Sequence, residues 1–225
     1  MLYALGNPPA LLVLVLSFVA AILTQGVVQA FVAARLGERG PAQEGRLRPD
    51  LRRHLDAFGA IAAALAGIGW GRPIPLGSRV GRARLAAIQL TGPLALVVGG
   101  VALLVAAGAA EPAYRLGAGQ FSAALHGAFG FASPLPAALV TAGAVVLGVG
   151  LLGLIPIPPL PGGAVLFAYA PRGGGWGRAR YYLQEQHWGV GVLLLLLLLP
   201  LAGREPLLLF VVDAVASLLL GVVSA

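Results

Sequence analysis

Apolar residues in this chain are gathered into long runs separated by short polar stretches. A spanning helix needs about 20 predominantly apolar residues, because about 30 Å of hydrocarbon is crossed at about 1.5 Å per residue. Leu11 to Ala34 meets that requirement, interrupted only by Ser17, Thr24, Gln25 and Gln29. Leu85 to Ala110 and Leu135 to Leu154 are two further runs of the same kind. Val190 to Ala202 and Leu207 to Val223 follow, set close together around Arg204 and Glu205. Phe58 to Trp70 and Ala164 to Ala170 are too short to cross, so each is expected to re-enter or to pack against other helices. The pattern predicts an all-α membrane protein of five to six transmembrane helices with one short re-entrant segment.

Composition supports the same class. Of 225 residues, 59% are hydrophobic and 10% charged, with a mean hydropathy of +0.91. A soluble domain carries roughly 25% charged residues and buries only about 70–75% of its unfolded surface at this size. Lipid is the solvent that accommodates such an excess. There is no cysteine, which excludes disulfides, thiolate metal sites and cysteine nucleophiles. The N-terminus has no basic leader, and the first apolar run is too long for a signal-peptide core, so no cleavable signal is expected. With no repeat and no soluble segment, residues 1–225 are expected to form one membrane domain in a bacterial or archaeal cell membrane.

The net charge of +7 comes from fifteen arginines, with no lysine, against eight acids. The arginines lie in short loops, which fits the positive-inside rule and argues against nucleic acid as a partner. The loops from Arg35 to Asp56, Arg72 to Arg84 and Arg172 to Glu185 are the basic ones. Placing them in the cytoplasm puts the N-terminus outside and the C-terminus inside. Phe58 to Trp70 must then dip in and return on the cytoplasmic side. The Arg72 to Arg84 run is also suited to anionic lipid headgroups.

Polar residues within the runs are the candidates for chemistry. Gln25 and Gln29 are four apart and share one helix face. Side-chain amides there act as interhelical hydrogen-bonding groups or occupy a site. Asp213, the one acid well inside an apolar run, is a functional candidate for the same reason, and Gln25, Gln89 and Arg204 are its possible partners. His54, His126 and His187 are expected at surfaces or interfaces, with His126 on the opposite side from the other two. Pro156, Pro158, Pro159 and Pro161 cannot donate backbone hydrogen bonds. They break a helix at membrane depth, which is tolerated only beside protein or a water-filled cavity. Gly162 and Gly163 permit close approach of another chain.

The ordered set of motifs resembles the site-2 protease family of intramembrane zinc metalloproteases. Its pieces are Arg35-Leu36-Gly37, Gly45-Arg46-Leu47, His54-Leu55-Asp56-Ala57-Phe58-Gly59, Gly69-Trp70-Gly71-Arg72-Pro73-Ile74-Pro75 and Thr91-Gly92-Pro93-Leu94-Ala95. The last is Leu154-Ile155-Pro156-Ile157-Pro158-Pro159-Leu160-Pro161-Gly162-Gly163. The likeness covers about residues 11–170 and leaves a C-terminal helix pair at about 188–223. It implies a zinc-binding first helix of the form H-E-x-x-H and a third ligand, an aspartate, before the double glycine.

The chemical positions depart from that pattern. The two histidines fall on Gln25 and Gln29, the catalytic glutamate on Gly26, the third ligand on Pro161, and a helix asparagine on Leu96. Zinc needs imidazole, thiolate or carboxylate ligands, and the metal-bound water needs a general base. Neither need is met, so no metal or other cofactor is expected. The reading favoured by the sequence is a catalytically inactive relative that binds a transmembrane peptide or a partner membrane protein. Gln25, Gly26, Gln29, Pro158, Pro161, Gly162 and Gly163 would form its vestigial site or peptide groove, and strand addition is the expected mode. A small permease subunit using Gln25, Gln29 and Asp213, and an active zinc-dependent peptidase, are the alternatives.

Overall fold

Asn7 starts the first long helix. Its side-chain oxygen accepts the Ala10 amide at 3.3 Å, and Pro8 and Pro9 follow where a missing N–H costs nothing. The structure is a computed structural model that describes residues 1–77, 79–116, 120–127, 132–200 and 206–224. The first helix, α1 (Pro8–Arg35), runs for 28 residues. Two single turns follow, α2 (Gly40–Gln43) and α3 (Leu51–His54), the second capped by Asp50 through the Arg52 amide at 3.0 Å.

The short apolar run then behaves as its length requires. Asp56 caps α4 (Ala57–Ala66) by accepting the Gly59 amide at 2.9 Å. Gly67, at φ 86°, ends it in the left-handed region that favours glycine. The chain turns back in extended form beside its own helix. Gly69 and Gly59 make this possible, since a Cβ on either would collide with backbone of the other arm of the hairpin. At the base an isolated antiparallel bridge joins Leu55 to Gly71, and the Arg72 amide donates to the His54 carbonyl at 2.7 Å. Entry and exit therefore lie side by side, which is the geometry of a re-entrant hairpin. Its base rests on Ile22 of α1 at Gly71, and its tip meets the Leu125 carbonyl at Gly67.

Next come α5 (Arg82–Ala110), α6 (Phe121–Leu125) and α7 (Pro134–Leu154). The α5–α7 crossing is the centre of the molecule and is built on absent side chains. Gly153 packs on the Pro93 ring, Gly150 on the Pro93 carbonyl, Gly100 on Leu147, and Gly143 on Leu104. These pairs run in opposite directions along the two helices, so α5 and α7 are antiparallel. Gln25 beside Gly92, with Gln29 one turn on bonded to the Gln89 carbonyl, sets α1 antiparallel to α5 in the same way. Small residues permit this approach because lipid supplies no hydrophobic drive to associate, leaving close packing as the main attraction.

The chain ends with α8 (Pro161–Tyr169), α9 (Gly174–Arg180), a π-helical turn over Tyr181–Glu185, α10 (Trp188–Leu198) and α11 (Leu207–Ser224). The fold is all-α; among the described residues the only β contacts are isolated bridges. Helices α1, α5 and α7 are long and apolar enough to cross a membrane, at 28, 29 and 21 residues. The expected span Val190 to Ala202 differs. Its helix has 11 residues and stops at Leu198, because Leu199 is drawn into extended backbone before Pro200. Eleven residues rise only about 16 Å. The turn at Arg204 and Glu205 lies outside the described residues, as does Ser78.

Candidate functional site

Gln25 and Gln29 converge on α5 as their four-residue spacing requires. A Cβ on Gly92 would stand 2.7 Å from Cγ of Gln25 and 2.8 Å from Cγ of Gln29. Both side chains are buried. Gln29 donates through Nε2 to the Gln89 carbonyl at 2.7 Å, an interhelical bond that ties α1 to α5. Among the described residues the Gln25 amide has no hydrogen-bond partner. Its Oε1 lies 3.9 Å from where a Cβ on Gly153 would sit, which places it at the end of α7. One amide holds the helices together while the other, a turn away, stands unused.

Gly26 lies between these amides and faces the other way, onto the hairpin base. A Cβ there would collide with Nδ1 of His54 and stand 2.7 Å from its Cε1. The imidazole thus occupies the volume into which a side chain at position 26 would extend. Of the surface or interface position expected for His54, the surface is excluded: it is 1% exposed and packs against α1. Nε2 is 3.1 Å from the Arg48 carbonyl, which fits an Nε2–H tautomer and leaves Nδ1 as an acceptor. Nδ1 is buried and has no partner. Burial holds the His54 pKa below the usual imidazole value, aided by the nearby Arg46 charge and opposed by the Arg48 carbonyl and Asp50. Neutral imidazole is the form that suits this position.

The loop carrying His54 is fastened to the hairpin at a second point. Arg46 is 5% exposed, donates to the Arg72 carbonyl at 3.2 Å and pairs with Glu44 at 3.3 Å. The Gly45-Arg46-Leu47 motif therefore serves as a clamp between loop and hairpin. The sequence carries no signal for the His54–Gly26 contact, because the two residues belong to separate elements brought together by the hairpin.

The proline-rich break follows the end of α7 at Leu154. Pro158 sits in the connection between α7 and α8, and Pro161 opens α8. Gly162 packs on the Leu154 and Ile155 carbonyls, and Gly163 on Ile157 and Pro158. The two glycines thus fold the break back on itself. A cleft of about 290 Å³ opens beside it. Pro73 and Ile74 form one wall, Pro158, Pro159 and Leu160 another, with Leu183, Gln184 and His187 at the rim. Gln89 also lines it, so the residue whose carbonyl holds Gln29 reaches the cleft. The contribution of residues 183–187 was not foreseen in the sequence.

Asp213 takes a different partner from those considered for it. Its Oδ1 accepts the Ser122 amide at 3.0 Å, so the carboxylate caps the first turn of α6 from another helix. Arg204 lies outside the described residues. His126 is the C-cap residue of α6, and His187 is exposed at the start of α10.

The donor chemistry at the positions the resemblance singles out does not suit zinc. Gln29 is committed to a carbonyl, Gly26 has no side chain, and Pro161 has no donor atom beyond its backbone carbonyl. Among the described residues no three His, Cys, Asp or Glu side chains are grouped to hold a metal ion.

Neither a family model nor a solved structure matches the chain. A curated protein does: over 211 residues, which span 87% of this chain and 89% of its own length, the Bacillus subtilis (strain 168) protein named "Putative zinc metalloprotease YwhC" is 29% identical. The chain is thus similar, over nearly its whole length, to a bacterial protein named as a zinc metalloprotease.

Proposed function

We propose that this chain is a multi-pass integral membrane protein of the site-2 protease type that has lost catalysis and retains binding. Its partner would be a transmembrane peptide or membrane protein, seated in the cleft between Pro73–Ile74 and Pro158–Leu160. The observation that carries the reading is the His54 ring over Gly26. Here the space for a base at position 26 is filled by a packed, neutral side chain. Amides and proline at the remaining positions leave a bound water without a Lewis acid to activate it. The extended backbone at Pro73–Ile74 and the open break at Pro158–Pro159 suit an extended segment.

An active zinc peptidase is the second reading, favoured by the name of the similar Bacillus subtilis protein. Purified full-length protein separates the two. The binding reading expects substoichiometric zinc and no cleavage of transmembrane substrates, with capture of a membrane segment by a photo-crosslinker placed at Gln184. Stoichiometric zinc with cleavage that chelation abolishes overturns it. The permease reading has less to rest on, since the Asp213 carboxylate is engaged by a backbone amide.

A further inference from the structure

Two of the three tryptophans and three of the five tyrosines fall within residues 169–188. These rings are not core. Trp176, Tyr181, Tyr182 and Trp188 are 43%, 46%, 53% and 65% exposed. They meet mainly one another, edge to face: Tyr181 on Tyr182 at 5.3 Å and Tyr182 on Trp188 at 6.4 Å between centroids. Trp176 meets Phe167 of α8 at 6.2 Å. Arg180 fastens the segment from the protein side, donating to the Phe167 carbonyl and lying over its ring. Arg172 and Arg178 are exposed, and Glu185 is the one acid from 169 to 188 against three arginines.

Neither water nor hydrocarbon suits this surface. Water penalises a contiguous patch of exposed rings. Hydrocarbon penalises the arginines, and it excludes a lipid-facing backbone of glycines, a seven-residue helix and a π-helical turn. The headgroup layer suits both, because indole and phenol rings place an apolar body and a polar edge at that depth while arginines meet phosphate. The fold sets the level. Gly153 packs on Pro93, so α7 ends about 16 Å inside the start of α5 at Arg82, and α8 packs on α5, its Ala164 sharing the cleft with Gln89. Residues 169–188 follow α8, and Leu183, Gln184 and His187 line the cleft with Gln89, about 10 Å along α5 from Arg82.

We propose that residues 169–188 form an interfacial anchor that lies in the headgroup layer of a leaflet rich in anionic phospholipid. Leu183, Gln184 and His187 belong to it and also rim the cleft, so the cleft opens at headgroup level. The proposal is independent of whether the chain cleaves or only binds.

The test uses full-length protein in lipid nanodiscs and its own tryptophan fluorescence. A W176F/W188F variant leaves Trp70, which is 3% exposed, as the background to subtract. Lipids brominated near the glycerol backbone are expected to quench Trp176 and Trp188 more than lipids brominated near the chain end. Labelled phosphatidylglycerol should quench more than labelled phosphatidylcholine. R172Q/R178Q should lower that preference by roughly fivefold per arginine removed, with the depth profile unchanged. Strongest quenching from the chain end overturns the proposal. So does quenching by aqueous iodide with none by lipid, the result expected of a surface in water, and so does equal quenching by the two headgroups.

Discussion

His54 rests on Gly26, with its imidazole standing where a Cβ on that residue would have to go. The contact joins the hairpin base to α1 at the position where the proposed site-2-type reading puts the replaced base. Gly26→Ala should therefore cost about 1–3 kcal/mol through overpacking. His54→Ala removes the obstructing ring, so the Gly26→Ala/His54→Ala protein should lose clearly less than the two single costs added together. Chemical denaturation in detergent micelles measures the cycle, and strictly additive costs would show that the ring does not fill this space. The same contact dictates how a metal site would have to be rebuilt. Gln25→His, Gly26→Glu, Gln29→His and Pro161→Asp together should fold only when His54→Gly accompanies them.

A second expectation concerns pH. His54 is buried and held below the ordinary imidazole pKa of about 6.5, so the unfolded chain binds its proton first as pH falls. Its contribution to stability is complete above about pH 6.5 and declines as pH drops from there toward the lower folded value. The Arg46 charge opposes protonation and Asp50 favours it, and both are carried through the range. Unfolding midpoints compared at about pH 7.5 and pH 5.5 should fall for the native chain. His54→Gln should flatten that difference; an equal drop in the variant assigns the titration elsewhere.

Much of this arrangement was legible in the linear pattern. Run length separated α1, α5 and α7 from the hairpin, and the four-residue spacing put Gln25 and Gln29 on one face. What escaped depends on contacts between distant segments. His54 read as a loop histidine because burial is decided by Gly71 lying on Ile22 and by Arg46 gripping the Arg72 carbonyl. Asp213 read as an intramembrane acid in need of a charged or amide partner, and a backbone amide on α6 met the need. The short length of α10 followed from Pro200, which the apolar run around it concealed.

Adjacent glycines on α5 offer a test of the central crossing. Gly100 lies on the Leu147 backbone, and a Cβ there would be 2.5 Å from a main-chain nitrogen that cannot step aside. Gly99 has nothing within 4 Å of the same point. Gly100→Ala should sharply reduce folded yield, with a cost at or above the usual 1–3 kcal/mol of overpacking. Gly99→Ala should be neutral or stabilising by up to about 1 kcal/mol, as alanine is the better helix former. Size-exclusion profiles and melting midpoints distinguish them, and equal behaviour would place the α5–α7 contact on another face.

Gln25 and Gln29 make the sharpest pair, because one turn separates two identical side chains with opposite engagements. Gln29→Leu removes the donor to the Gln89 carbonyl and leaves that carbonyl without it inside the helix pair. A cost of about 0.6–2 kcal/mol is expected, the range of interhelical hydrogen bonds in membranes. Gln25→Leu removes an amide that bonds to nothing among the described residues while keeping similar volume against Gly92. No hydrogen bond is lost and the amide is not among the buried unpartnered groups, so the exchange should leave stability unchanged to within about 1 kcal/mol. If capture of a membrane segment fails in Gln25→Leu while the fold is intact, the free amide is a ligand-binding group. If capture persists, binding rests on the cleft between Pro73–Ile74 and Pro158–Leu160 and does not use the Gln25 amide.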